Sequence, residues 1–90
     1  MNDEIFAALA NKYRREIILL LRNKDLTAGE IVENFDIAQP SISRHLDVLK
    51  KANIISFTKV GNQIIYTLNG QTMEELIVYC AKLMPFHDMV

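Results

Sequence analysis

The stretch Ala38-Gln39-Pro40-Ser41-Ile42-Ser43-Arg44-His45-Leu46-Asp47-Val48-Leu49-Lys50-Lys51 decides the fold. Ile42, Leu46 and Leu49 recur at i, i+4 and i+7, the spacing that lines one side of a helix. Pro40 falls at the expected first helical position, where a missing N–H costs nothing. At about 100° per residue, turning the apolar trio inward sends Pro40, Arg44, Asp47 and Lys51 to the far side. Ser43 and Lys50 then flank that side on one edge, Ser41 and His45 on the other. The outer face is small and polar toward its N-terminus, so the helix can enter a major groove closely. Gln39 and Arg44 can make paired hydrogen bonds to base edges, and the helix start suits a phosphate. Many charged helix faces only meet solvent, so the neighbouring segments have to discriminate.

Just upstream, Thr27-Ala28-Gly29-Glu30 is a capping-box pattern opening a short helix with Ile31, Val32 and Phe35. A tight Phe35-to-Gln39 connection joins it to the polar-faced helix, which makes a helix-turn-helix. Further upstream, Ile5, Phe6 and Leu9 and then Tyr13, Ile17, Ile18, Leu20 and Leu21 form helical stripes. Asn11 between them is an expected N-cap, and Asn23-Lys24-Asp25 closes the second stripe. Downstream the period changes to two. Ile55 and Phe57, then Ile64, Tyr66 and Leu68, predict two strands around a Val60-Gly61-Asn62-Gln63 turn. Lys59 and Gln63 on that hairpin are candidates for backbone or minor-groove contacts. Asn69-Gly70 ends the second strand, Thr72 is expected to cap a last helix, and Pro85 to stop it. The expected fold is mainly α (α+β), a winged helix-turn-helix in the order α-α-α-α-β-β-α, filling residues 1–90 as a single domain.

Charge is distributed unevenly around this motif. The chain carries a net −1 over 90 residues, but residues 38–60 hold +3 while 1–37 and 61–90 hold −2 each. Positive charge thus gathers on the outward helix and first strand, as a phosphate-facing surface requires. Arg14 and Arg15 read as contacts to the DNA backbone or as charges solvating the second helix. No nucleotide loop or nucleophile elbow occurs, so nothing points to an enzyme. His45, His87 and the single Cys80 are too scattered to predict a metal site or any cofactor. One cysteine and an acidic start favour the cytoplasm, and apolar runs of six residues predict no membrane span.

The run Ala38 to Leu49, followed by Ala52-Asn53-Ile54-Ile55 and Lys59-Val60-Gly61-Asn62-Gln63-Ile64-Ile65-Tyr66-Thr67-Leu68, resembles the ArsR/SmtB family of bacterial winged helix-turn-helix repressors. Phe6-Ala7-Ala8-Leu9-Ala10 leading into Tyr13-Arg14-Arg15-Glu16-Ile17 is similar to it as well. The resemblance implies a homodimer that occupies an operator on double-stranded DNA and blocks transcription. Many members sense metal through cysteines at the third helix or Asp and His on the last; Leu26 to Val32 holds no cysteine and Thr72 to Met84 neither Asp nor His. The similarity is therefore to the branch without a metal site, that of SdpR-type autorepressors. On this reading Arg44, Gln39 and Ser43 reach base edges, with Pro40 on the same face. Ser41 and His45 position or touch phosphate, and Lys59 and Gln63 serve the wing.

Pairing has support of its own. Ile5, Phe6 and Leu9 at one end and Met73, Leu76, Ile77, Cys80, Leu83 and Met84 at the other are more apolar surface than so short a chain hides alone. A two-fold dimer would set its recognition helices about 34–36 Å apart, on a pseudo-palindrome. Two other readings stay open: a winged-helix module for a protein partner, and a regulator answering to an unidentified effector or redox change near Cys80.

Overall fold

The computed structural model describes residues 2–86. Its elements are α1 (Asp3–Leu9), α2 (Lys12–Leu21), β1 (Leu26–Thr27), α3 (Ala28–Val32), α4 (Gln39–Lys51), β2 (Ile55–Val60), β3 (Gln63–Leu68) and α5 (Gly70–Lys82). Polar caps set the helix starts. Asn11 Oδ1 accepts from the N–H groups of Tyr13 and Arg14 at 2.9 and 3.2 Å, the cap expected for α2. Thr27 and Glu30 form the reciprocal capping box at α3, with bonds of 3.2 and 2.9 Å. Helix α4 starts without a side-chain cap, and Pro40 is its second residue, one later than expected.

Helix α3 ends at Val32, short of Phe35, and α5 at Lys82, short of Leu83 and Met84. Two further features differ from the sequence reading. β1 adds a third strand in the order β1-β3-β2, pairing Leu26 with Tyr66 and Thr27 with Ile65. A two-residue strand is too short to show a period in sequence; it exists because the edge of β3 is there to pair with. Thr72 is not the cap of α5. Asn69 holds that place, accepting from the Thr72 N–H at 3.4 Å. Thr72 lies one turn in, buried, and its hydroxyl donates to the Asn53 carbonyl at 2.7 Å.

Asn53 explains why that carbonyl is available. It follows α4 with φ of 60°, and bonds from Asn53 N to Lys50 O and from Ile54 N to Leu49 O close a Schellman motif. The Asn53 carbonyl then points at α5, where both Thr72 Oγ1 and Asn69 Nδ2 donate to it. One polar latch thus joins the end of α4 to the start of α5.

The core comes from everything except α5. Ile17, Ile31, Ile42, Leu49, Ile54 and Ile55 are fully buried, with Ile5, Leu21, Leu26, Leu46 and Tyr66 around them. From α5, Met73 and Leu76 pack only on the margin. The molecule is 51 Å long and about half as wide, and exposes 6347 Å² where about 5,400 Å² is expected for its mass.

Candidate nucleic-acid interface

The inward face of α4 is Ile42, Leu46 and Leu49, all buried, so the helix is held at the rotation its apolar spacing predicts. That rotation exposes Gln39, Pro40, Ser43, Arg44, Asp47 and Lys51 and leaves Ser41, His45 and Lys50 half-buried on the flanks. Gln39, Pro40, Ser43 and Arg44 line one open depression over the first turns of the helix. Four candidate contact residues therefore share one surface, their side chains free of hydrogen bonds among the described residues.

Lys50 is occupied differently. Its ammonium sits 3.0 Å from Asp47 and 5.0 Å from the Phe57 ring centre, so it has partners within the protomer. Arg44, Lys51 and Lys59 enter no ion pair among the described residues.

The hairpin turns at Gly61, whose φ of 61° is the backbone conformation a tight two-residue turn needs at its first position. Lys59 pairs with Ile64 and Val60 with Gln63. Alternation along the strands puts Lys59 on the face of Phe57 and Tyr66 and Gln63 on the face of Val60 and Thr67. The two wing candidates are neighbours at the tip but project from opposite faces, a separation invisible in the linear spacing.

His45 faces inward across the helix-turn-helix. Its Nδ1 lies 3.1 Å from Arg14 Nη1, and its ring stacks on Tyr13 at 5.7 Å between centres. Guanidinium has no lone pair to offer, so Nδ1 must be the acceptor and the ring proton sits on Nε2. Partial burial, then the positive charges of Arg14 and Arg44, hold the imidazole pKa below its ordinary 6.5. The same guanidinium donates from Nε to Ala8 O at 2.7 Å and from Nη2 to Ala7 O at 3.1 Å. Arg15 Nη1 adds Leu9 O at 2.8 Å. Both arginines, read from sequence as DNA-backbone or solvent contacts, therefore close the carbonyl end of α1. Linear sequence held no signal for this, because the bond depends on how α1 folds back onto α2.

The other candidate surface is split. Ile5 is only 5% exposed and belongs to the protomer core, while Leu9, Met73 and Leu76 are half-buried against that core. Ile5 was expected to offer apolar surface for pairing, but docking of α1 on the core uses it internally. Phe6, Ile77, Cys80, Leu83 and Met84 are exposed, with Ile77 and Leu83 at 67% and 66%. Tyr79 extends this surface beyond the residues picked out by spacing, packing on Phe6 at 5.3 Å between ring centres, while Val78 is exposed on the polar side of α5 beside Glu74, Glu75 and Lys82. His87 and Asp88 lie outside the described residues. Among the described residues no cluster of three or more His, Cys, Asp or Glu could hold a metal ion. No described helix is long and apolar enough to cross a membrane.

Residues 11–56 match the model of the bacterial regulatory protein, arsR family. The chain is 43% identical over 75 residues to the transcriptional repressor SdpR of Bacillus subtilis, covering 83% of each chain. A solved ArsR family transcriptional regulator superposes with a TM-score of 0.85 at 26% identity, covering 90% of this chain and 89% of that one. HlyU from Vibrio cholerae superposes at 0.74 with 25% identity, covering 89% and 87%.

Proposed function

The chain belongs to the ArsR family of bacterial regulatory proteins, and from that membership we propose that it acts as a homodimeric repressor on a pseudo-palindromic operator, without a metal-sensing site. The observation that carries the reading is the outer face of α4. Gln39, Ser43 and Arg44 stand exposed together, their side chains without hydrogen-bond partners among the described residues, on a helix whose buried trio fixes their direction. Arg44 suits a guanine edge and Gln39 an adenine edge, while Ser43 is small enough to let the backbone approach. Lys59 follows the phosphate backbone beside the groove, and Ser41 at the flank positions the helix start. Gln63, on the other face of the hairpin, reaches the opposite side of the wing tip.

Two copies joined through α5 and Phe6 would present two such faces to one side of a duplex. The exposed surface in excess of a compact monomer supports that arrangement, because pairing removes it from water. Repression then needs no chemistry: bound dimer and polymerase compete for the same DNA.

Selection from a random DNA library, with the mass of the protein measured in the same buffer, tests the reading. An enriched inverted repeat and a dimer mass are the expected outcome. Equal affinity for selected and random duplex, or an affinity that does not change with salt, overturns it.

A further inference from the structure

Arg14 makes contacts that the proposed reading of DNA does not use. From α2 it reaches two carbonyls of α1, Ala8 O at 2.7 Å and Ala7 O at 3.1 Å, and one ring nitrogen of α4, His45 Nδ1 at 3.1 Å. Three helices therefore meet on one side chain. Helix α1 carries Phe6, which continues into the exposed apolar surface of α5 through Tyr79. Helix α4 carries the exposed Gln39, Ser43 and Arg44. His45 immediately follows Arg44, so a bond that pins the imidazole also pins the backbone from which Arg44 projects.

We propose that Arg14 is a positioning residue for DNA recognition, acting through His45 to fix the pose of α4 against the α1–α2 pair. The proposal rests on the repressor reading above. Its physical content is a single hydrogen bond with a defined proton inventory. Arg14 donates, His45 accepts at Nδ1, and the imidazole keeps its only proton on Nε2. A second proton on Nδ1 would abolish the acceptor and set two cations 3.1 Å apart. Arg44 on α4 adds a further positive charge near the ring, and Tyr13 on α2 stacks against it without charge. No carboxylate of the described residues figures among the charges acting on the ring. The hydrogen bond, the partial burial and the two arginines therefore all favour neutral imidazole, and the pose of α4 holds while that ring stays neutral.

The test reads His45 directly. Nitrogen NMR of the intact wild-type protein is expected to show Nδ1 as an unprotonated acceptor and Nε2 as protonated, with a titration midpoint below 6.5. Arg14→Met removes the donor and the charge but keeps a long apolar stem. It is expected to mix the two tautomers and raise the midpoint toward 6.5, and to cut the ratio of operator to random-duplex affinity by roughly five-fold, the worth of one hydrogen bond. Arg14→Lys restores the charge and one donor, and is expected to recover part of that ratio.

A wild-type His45 protonated on Nδ1, or titrating at or above 6.5, overturns the proposal without any variant, so misfolding of Arg14→Met cannot shelter it. A folded Arg14→Met with the wild-type tautomer and affinity ratio overturns it too. Failure of the repressor reading looks different. Wild-type protein would then show the expected tautomer yet select no DNA, and the role in recognition would fall while the bond stood.

Discussion

Helices α4 and α5 are both 13 residues long, yet they expose opposite chemistry. α4 buries Ile42, Leu46 and Leu49 and shows solvent a polar, cationic face. α5 buries only Thr72 and leaves Ile77, Val78 and Leu83 exposed. An exposed polar face is stable alone and is available to a polar, charged ligand. An exposed apolar face is costly in water and is relieved by another apolar face. On the function proposed above, the first surface serves DNA and the second a second copy of the chain.

The largest effect should come from attacking the apolar helix. Ile77→Asp with Leu83→Asp is expected to give a folded monomer, because neither side chain supports the protomer core. Two linked half-site contacts would become one, costing roughly 100-fold or more in operator affinity. Sedimentation equilibrium and a binding titration check both halves; a double variant that stays dimeric refutes the assignment of α5.

Arg44→Ala attacks the polar helix instead. It should leave dimer mass and melting temperature unchanged while costing about 1–3 kcal/mol in operator binding and relaxing one base-pair preference per half-site. Repeating the library selection with the variant shows whether that position loses its preference.

The latch between the two helices should separate stability from recognition. Thr72→Val removes the hydroxyl bonded to the Asn53 carbonyl at nearly constant volume. The expected cost is about 1 kcal/mol, or a fall in melting temperature of roughly 4–8 °C, which thermal unfolding measures. A change in base preference with no loss of stability would contradict the latch.

A smaller effect follows from His45. The unfolded chain takes a proton near 6.5, whereas the folded chain resists it until lower pH. Stability tied to this group is therefore retained above 6.5 and lost as pH falls below it. Urea unfolding at pH 7.5 and pH 5.5 should show a larger drop for wild type than for His45→Gln.

The wing supplies the smallest change. Lys59→Ala should weaken operator and random duplex alike and reduce the salt slope by about 1. Gln63→Ala, on the opposite face of the hairpin, should leave that slope untouched. Equal salt effects from the two would mean that strand alternation does not separate their roles.

Much of the architecture was legible because local rules act over a few residues. Asn11, the Thr27 and Glu30 box, and the Ile42, Leu46 and Leu49 spacing each sit within one or two turns of what they specify. The exposed face of α4 was legible for the same reason, since a helix rotation follows from which residues are buried. The hairpin and its turn were readable from alternation and Gly61. β1 was not readable, because two residues carry no period and the strand depends on the edge of β3.

By itself, then, the sequence determined the helix-turn-helix, the wing, the concentration of positive charge and the direction in which Gln39, Ser43 and Arg44 face. Only the tertiary structure decided that Arg14 and Arg15 close α1, that His45 accepts from Arg14, that Thr72 latches α5 to Asn53, and that Ile5 is core while Ile77 is surface. Each of these joins residues from different elements. Hydrogen bonds and burial between elements depend on distances that no repeat along the chain encodes, whereas caps and periods depend on separations the chain itself sets.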